Sequence, residues 1–242
     1  MLSKINQRQI YSKINNIYQA HCKKEDINFY TTEVTQLLNQ FNQKNKKKTK
    51  NISEKTSILI CYGDSIFAQN QKHSIKVFKN FFQKKLSKNF NTVHFLPFYP
   101  SSSDSGFAVK DHYKIDGKLG SWSDIKSFSK KSDVMADIVI NHSSARGLWF
   151  KNFLKSKKPG KDYFLTVDSK YNTSKVVRPR DHKLLKKIGI FNKTDYLWRT
   201  FSPDQLDLNF KNPAVLLRFI KIMINLINCL LYTSDAADEV AG

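Results

Sequence analysis

The sequence predicts an α/β protein: the N-terminal portion of a parallel (β/α)8 barrel, incomplete in this chain, with a small domain inserted after the third strand. Three observations lead there. Short apolar runs alternate with helical stripes from residue 57 onward. The third run, Val134 to Ile140, is almost continuously apolar and rich in β-branched residues, as a parallel strand buried on both faces requires. Long polar segments, 63 to 72, 99 to 121 and 141 to about 212, all follow the C-terminal ends of strands, the end at which barrel proteins build their sites. No Gly-x-Gly-x-x-Gly or Walker-type loop follows a strand, so an open nucleotide-binding sheet loses its main support.

Residues 1–56 read as a helical extension and a linker. Ile10, Ile14 and Ile17, then Val34, Leu37, Leu38 and Phe41, repeat at helical spacing, which predicts two helices. Residues 42 to 51 hold five Lys and no apolar side chain, so self-repulsion should leave them extended and solvated. Residues 57–142 carry barrel units β1 to β3. The first apolar run ends at Gly63 and is followed by a stripe of Ile75, Phe78, Phe82 and Leu86. Thr92 to Phe98 is the second run, stopped by Pro97 and Pro100, and Ser121 or Ser123 caps the helix of Ile125 and Phe128. Residues 143–212 are the inserted small domain, 213–228 the third barrel helix, and 229–242 a tail foreign to the rest.

Composition narrows the function. The chain has 242 residues, is 40% hydrophobic and carries 41 basic against 20 acidic residues, a formal charge of +21. That charge invites a nucleic-acid reading. Yet only 6 of the basic residues are Arg, and Lys is scattered along the chain beside 20 Asn. Recognition of bases and phosphates favours the planar Arg fork, so an evenly solvated Lys surface is the expectation and nucleic acid is not the expected partner. Cys22, Cys61 and Cys229 form neither a disulfide framework nor a zinc spacing, which fits a reducing cytoplasm. The N-terminus has no apolar h-region, and the apolar stretch Leu216 to Tyr232 is interrupted by Arg218, Lys221, Asn225 and Asn228, so it reads as an amphipathic soluble helix and not a membrane span.

Three segments combine residue types that sugars need. Pro100-Ser-Ser-Ser-Asp104-Ser-Gly106-Phe107 follows the second strand; a carboxylate accepts hydrogen bonds from vicinal hydroxyls and an aromatic ring packs on the C–H face of a pyranose. An ordinary turn is the alternative. Asp137-Ile-Val-Ile-Asn141-His142 places a polar pair at the mouth of a buried strand, with a satisfied structural His as the alternative. Phe201-Ser-Pro-Asp204-Gln205-Leu206-Asp207-Leu208-Asn209 lies in the excursion after strand three, preceded by Val177-Arg178-Pro179-Arg180, whose two Arg on a stiffened backbone suit an oxyanion. Trp122, Trp149 and Trp198 suit a sugar cleft or core anchoring equally.

These motifs carry a resemblance. Asp-Ile-Val-Ile-Asn-His (137 to 142) resembles the first signature region of glycoside hydrolase family 13, the α-amylase family of TIM-barrel enzymes, and Gln-Leu-Asp-Leu-Asn (205 to 209) resembles the family's Gln-Pro-Asp-Leu-Asn signature, with Leu206 in place of Pro. Together with Leu-Gly-Ser-Trp-Ser-Asp (119 to 124) and Val-Val-Arg-Pro-Arg, they look most like the sucrose phosphorylase subgroup and its glucosylglycerate phosphorylase relatives, over about residues 57 to 227. The resemblance implies an α-retaining mechanism through two carboxylates, with the glucosyl intermediate captured by phosphate to give α-glucose 1-phosphate. It implies no cofactor and no metal, inorganic phosphate being a co-substrate. Carried over by position, Asp104 and His142 would grip the donor glucose, Phe107 would support its face, Arg178 with Arg180 would meet phosphate or acceptor, and Phe201 and Gln205 would line the acceptor side.

The family's nucleophile, acid/base and third carboxylate belong to strands four, five and seven, for which no motif is found here. Residues 222 to 242 contain no Lys, and 229 to 239 resemble translated sequencing-adapter DNA, so the expectation is an N-terminal fragment that ends before strand four, is inactive alone, and leaves the edge of strand three open. The intact parent could form a homodimer. Within the family a hydrolase or transglucosylase is the alternative; from another class, a Lys-rich module for RNA or an anionic surface. That last reading predicts salt-sensitive retention on nucleic acid that disappears when residues 42 to 51 are deleted; weak retention that survives the deletion would refute it.

Overall fold

The computed structural model describes residues 6–44, 52–178, 180–190, 193–229 and 231–235. Helix α1, Gln7–Tyr18, starts at Asn6, whose side chain accepts from the Arg8 amide at 2.9 Å. Helix α2, Lys24–Lys44, opens with Glu25 and Asp26 at its positive end. It runs three residues into the expected linker, and the rest of that Lys-rich stretch, from 45 to 51, lies outside the described residues.

The barrel portion follows the predicted alternation. Strand β1, Ile58–Cys61, leads to helix α3, Ser74–Phe81, which continues into a π turn over Phe82–Leu86. Strand β2 is Thr92–Phe95, helix α4 is Trp122–Ser129, and strand β3 is Asp133–Ile138. Of the two serines, Ser121 caps α4: it forms a capping box with Asp124, whose Oδ2 accepts from the Ser121 amide at 2.9 Å. The strands are parallel, with Leu59 beside Val93 and Val93 beside Val134.

Side-chain alternation sorts β2 onto two faces. Phe95 turns toward the helices, where Phe78, Phe82 and Phe128 surround it; ring centroids lie 5.4 Å (Phe78 to Phe95), 5.5 Å (Phe95 to Phe128) and 5.3 Å (Phe82 to Phe128) apart. His94 turns to the opposite face, and its Nε2 lies 2.8 Å from Oδ1 of Asp137 on β3.

The excursion after β3 builds its own sheets. Strand β4, His142–Ser144, is followed by helix α5, Leu148–Leu154. Strands β5, Thr166–Val167, β6, Leu185–Ile190, and β7, Lys193–Trp198, form an antiparallel sheet in the order β5-β7-β6. Strand β8, Gln205–Asp207, returns to pair antiparallel with β4. Helix α6, Pro213–Asn228, starts at Asn212, whose Oδ1 accepts from the Ala214 amide at 2.9 Å.

Two expectations need correction. The chain was expected to end before a fourth strand, within a tail from 229 onward. Instead β9, Leu231–Asp235, pairs in parallel with β3 from Val134 to Ile138, so the order is β1-β2-β3-β9. The backbone groups along the edge of β3 are a template for any extended segment that reaches them, and the turn after α6 delivers one. Residues 236–242 lie outside the described residues. Second, α6 has more than one buried face. Val215, Phe219, Ile222 and Leu226 face the barrel core, while Leu216, Leu217 and Ile220 are covered by Ile14, Tyr18, Ile27 and Val34 of α1 and α2. Being covered on two sides explains why α6 is so apolar; among the described residues no helix is long and apolar enough to cross a membrane.

The four-ring cluster gives a direct test. Replacing fully buried Phe128 by Ala should cost about 3–5 kcal/mol of unfolding free energy in a denaturant titration. A loss near zero would show that α4 is not seated on the sheet as described.

Candidate active site

The loop after β2 bends back on itself: the amide of Lys110 donates to Pro100 at 2.8 Å and that of Ser102 to Ala108 at 3.1 Å. At its tip, Asp104–Gly106 form a 3-10 turn in which Asp104 has φ 58° and Ser105 φ 46°, both left-handed. Asp tolerates this region and Ser less well, so the surroundings hold the turn in place. Gly106, at φ +106°, is required: a Cβ there would lie 2.3 Å from the Pro97 carbonyl oxygen.

The β4–β8 pair supplies the facing side. His142 lies opposite Asp207 and Ser144 opposite Gln205. Gln205 is 1% exposed, and its Nε2 donates to Oδ2 of exposed Asp104 at 2.7 Å, across 101 residues of sequence. His142 is 5% exposed; its Nε2 meets the Phe107 carbonyl at 3.1 Å, and its ring lies 4.8 Å from that of Phe201. Asp104, Phe107, His142, Phe201 and Gln205 are thus brought together. His142 sits on β4, not at the end of β3 as its motif suggested, because β3 ends at Ile138. Phe107 enters through its carbonyl, while its ring packs against the core.

Two atoms of this group stand out. Nδ1 of His142 and Oε1 of Gln205 are buried without a hydrogen-bond partner. Burial pushes the His142 pKa down to about 4, opposed by the Phe107 carbonyl and by Asp104, so the ring is neutral at pH 7. With Nε2–H committed to the Phe107 carbonyl, Nδ1 presents a lone pair. Both atoms therefore accept hydrogen bonds, and a hydroxyl-rich ligand could satisfy them.

The two arginines of the Arg-Pro-Arg segment differ in setting. Arg178 donates through Nη2 to the His182 carbonyl and through Nη1 to that of Thr200 at 3.5 Å, and Nη1 lies 3.3 Å from His182 Nε2. Arg180 is exposed, Pro179 lies outside the described residues, and Arg178 has a further charged neighbour. That neighbour is Arg199, which donates to the carbonyls of Pro203 at 3.3 Å and Lys183 at 3.0 Å, close enough for Arg178 to lower its pKa in addition to the effect of burial. Sequence reasoning singled out neither Arg199 nor His182; Arg199, three residues before the Phe201-Ser-Pro-Asp-Gln motif's Ser202, carried a signal only in the scarcity of Arg.

A hydroxyl–carboxylate cluster holds the two loops together. Ser102 donates to Asp204 and its Oγ lies 2.5 Å from that of Ser144, while Ser103 donates to Asp204 at 3.1 Å. Asp207 accepts from the Thr200 amide at 2.8 Å and hydroxyl at 2.6 Å, and Trp198 donates to that hydroxyl at 3.0 Å. Trp122 and Trp149 are core anchors: Trp122 donates to the Tyr113 carbonyl at 2.9 Å, and Trp149 stacks on His112 at 5.1 Å.

A pH dependence follows. His112 is fully buried, its Nε2 3.0 Å from the Val139 carbonyl, and burial lowers its pKa to about 4 as well. Both histidines bind protons more tightly when unfolded, near the ordinary 6.5, than when folded. Their stabilisation is therefore complete above pH 6.5 and lost as pH falls toward 4. Unfolding free energy measured against pH should decline over that window, and His112→Gln should flatten the decline; a flat profile for the unaltered chain would refute the neutral-histidine assignment.

Comparison with known proteins agrees with this geometry. The alpha-amylase catalytic-domain model matches residues 82–229. The chain is 42% identical over 172 residues to glucosylglycerate phosphorylase of Allomeiothermus silvanus, covering 71% of this chain and 31% of that protein, and 38% identical over 180 residues to glucosylglycerate phosphorylase of Escherichia coli K12, covering 74% and 32%. It spans about a third of the length of these curated relatives. The crystal structure of sucrose 6F-phosphate phosphorylase from Thermoanaerobacter thermosaccharolyticum superposes with TM-score 0.66 at 26% identity, over 77% of this chain and 40% of that one. Trehalulose synthase MutB from Pseudomonas mesoacidophila MX-45, at 19% identity and TM-score 0.64 over 74% and 34%, shares the fold. With a parallel half-barrel, an insertion clasped by β4 and β8, and a family match running from the end of α3 to the end of α6, the chain belongs to the alpha-amylase catalytic-domain family.

Proposed function

We propose that this chain supplies the glucose-binding wall of an α-retaining glucoside phosphorylase, which cleaves an α-glucoside of the sucrose or glucosylglycerate type with phosphate and gives α-glucose 1-phosphate. One observation carries the reading: Asp104, His142, Phe201 and Gln205, from three separate segments, meet and leave two buried acceptor atoms, Nδ1 of His142 and Oε1 of Gln205, without partners. The names of the relatives, glucosylglycerate, sucrose and sucrose 6(F)-phosphate phosphorylases, support the choice of reaction.

In this reading Asp104 accepts hydrogen bonds from vicinal glucose hydroxyls while the Gln205 amide holds its Oδ2 in place. Neutral His142 accepts a further hydroxyl proton at Nδ1, and Phe201 packs against both the imidazole and the sugar's C–H face. Two further carboxyl groups complete the chemistry: one attacks the anomeric carbon as the other protonates the leaving oxygen, and phosphate then displaces the first from the glucosyl carbon, restoring α configuration after two inversions. Inorganic phosphate is the co-substrate, and no cofactor is assigned.

The test uses a polypeptide that carries this chain at the full length of its relatives. Release of α-glucose 1-phosphate should require phosphate, and Asp104→Ala or His142→Ala should lower kcat/KM by about 3 kcal/mol, roughly a hundredfold, the scale of lost transition-state hydrogen bonds. Equal cleavage without phosphate would refute the phosphorylase reading, and unchanged kinetics in both variants would refute the glucose-binding roles.

A further inference from the structure

The turn that presents Asp104 has to be held from outside its own backbone. Asp104 and Ser105 both adopt left-handed conformations, φ 58° and 46°, which residues other than glycine keep only where neighbouring contacts enforce them. Those contacts come from two adjacent residues, Gln205 at the start of β8 and Asp204 just before it. Gln205 donates through Nε2 to Asp104 Oδ2 at 2.7 Å, and Oδ2 of Asp204 receives the hydroxyls of Ser102 and, at 3.1 Å, Ser103. Three consecutive loop residues are thereby fastened to two consecutive residues that lie 101 or 102 positions later in the chain.

Asp204 is fixed independently of the loop it grips. Its carbonyl accepts from the Ala145 amide at 2.9 Å, its amide donates to Ser202 Oγ at 3.4 Å, and its Oδ1 lies 3.9 Å from Nε of exposed Arg146. The direction of the hydrogen bonds follows from counting protons. An ionised carboxylate only accepts, and a hydroxyl carries one proton. Ser102 gives its proton to Asp204, so the Ser144 hydroxyl, 2.5 Å away, donates to Ser102, while Ser144 Oγ accepts from the Arg146 amide at 2.9 Å. The series Arg146 amide, Ser144, Ser102, Asp204 thus runs one way and ends on a single carboxylate. Removing that carboxylate takes away the acceptor on which both loop hydroxyls converge.

We infer that Asp204 is a positioning residue for the sugar site: by holding Ser102 and Ser103 it keeps the turn that follows them left-handed, and so aims the Asp104 carboxylate. In this role it acts through Asp104 and need not touch the sugar. The consequence for catalysis rests on the glucose-binding reading of Asp104, whereas the hold on the turn does not. A plain clamp between the β2 loop and the β4–β8 pair is the competing description. The two differ in which hydrogen bonds loosen when the carboxylate is removed.

Hydrogen exchange of the 242-residue chain, followed amide by amide in NMR spectra, separates them. The Phe107 amide donates to the Asp104 carbonyl at 2.8 Å across the turn, while the amides of Ala145 and Leu208 donate to the carbonyls of Asp204 and Asn141 within the clasp. Asp204→Ala should speed exchange at Phe107 at least roughly tenfold, the scale of one lost hydrogen bond to a charged group, and leave Ala145 and Leu208 within about twofold. Asp204→Asn, which keeps one acceptor oxygen, should fall between. In the full-length polypeptide, Asp204→Asn should lower kcat/KM for the α-glucoside about tenfold, but by less than about twofold in the Asp104→Ala background, because an effect transmitted through Asp104 vanishes once its carboxylate is gone. Unchanged exchange at Phe107, equal acceleration at all three amides, or the same fractional loss of kcat/KM in both backgrounds overturns the inference. Unchanged kinetics in Asp104→Ala would instead remove the glucose-binding reading, and exchange at Phe107 then decides alone whether Asp204 holds the turn.

Discussion

The antiparallel pairing of β4 with β8 is the constraint on which the site depends. Between Ser144 and Gln205 the chain leaves the barrel, builds a three-stranded sheet and returns, and three residue pairs close that excursion. Their register sets His142 opposite Asp207 and Ser144 opposite Gln205. A slip of one residue would turn Gln205 away from Asp104 and bring Leu206 toward it, because successive side chains along a strand point to opposite faces. The register is held from outside as well as within: the Ala145 amide donates to the Asp204 carbonyl, the Leu208 amide to Asn141, and the Asp204 carboxylate receives Ser102 and Ser103 from the β2 loop.

Because the clasp is tight, its polar groups are desolvated, and this shapes their chemistry. An imidazole buried from solvent stays neutral at ordinary pH, so His142 is a hydrogen-bond acceptor and donor rather than a cation. The same burial leaves the arginines charged, because a guanidinium keeps its proton. The site thus has a neutral hydrogen-bonding part beside Asp104 and a cationic part around Arg178, joined through Thr200 and Phe201. A sugar hydroxyl suits the first and an anion the second, for different physical reasons.

The N-terminal hairpin has a structural role that its polar composition hid. α1 and α2 cover the outward apolar face of α6, and Lys221 of α6 lies 3.9 Å from Glu33 of α2. Such a partly exposed ion pair adds little energy; the covered Leu216, Leu217 and Ile220 matter more, since they would otherwise form an exposed apolar stripe.

The amino-acid order alone determined what depends on near neighbours. The period-3.6 stripe of Ile75, Phe78 and Phe82 and the apolar run at Val134 specify helix and strand, and Ser121 with Asp124 specifies where α4 begins, because these signals act within a few residues. The motifs around Asp104, His142 and Gln205 were readable for the same reason. Tertiary structure decided which of these met: that Gln205 holds Asp104 across 101 residues, that Arg178 comes near Arg199, that His142 stands on its own strand, and that residues 231–235 pair with the edge of β3. Those outcomes come from strand pairing, loop closure and the burial of charge, which bring together residues far apart in the chain, and local periodicity carries no record of them.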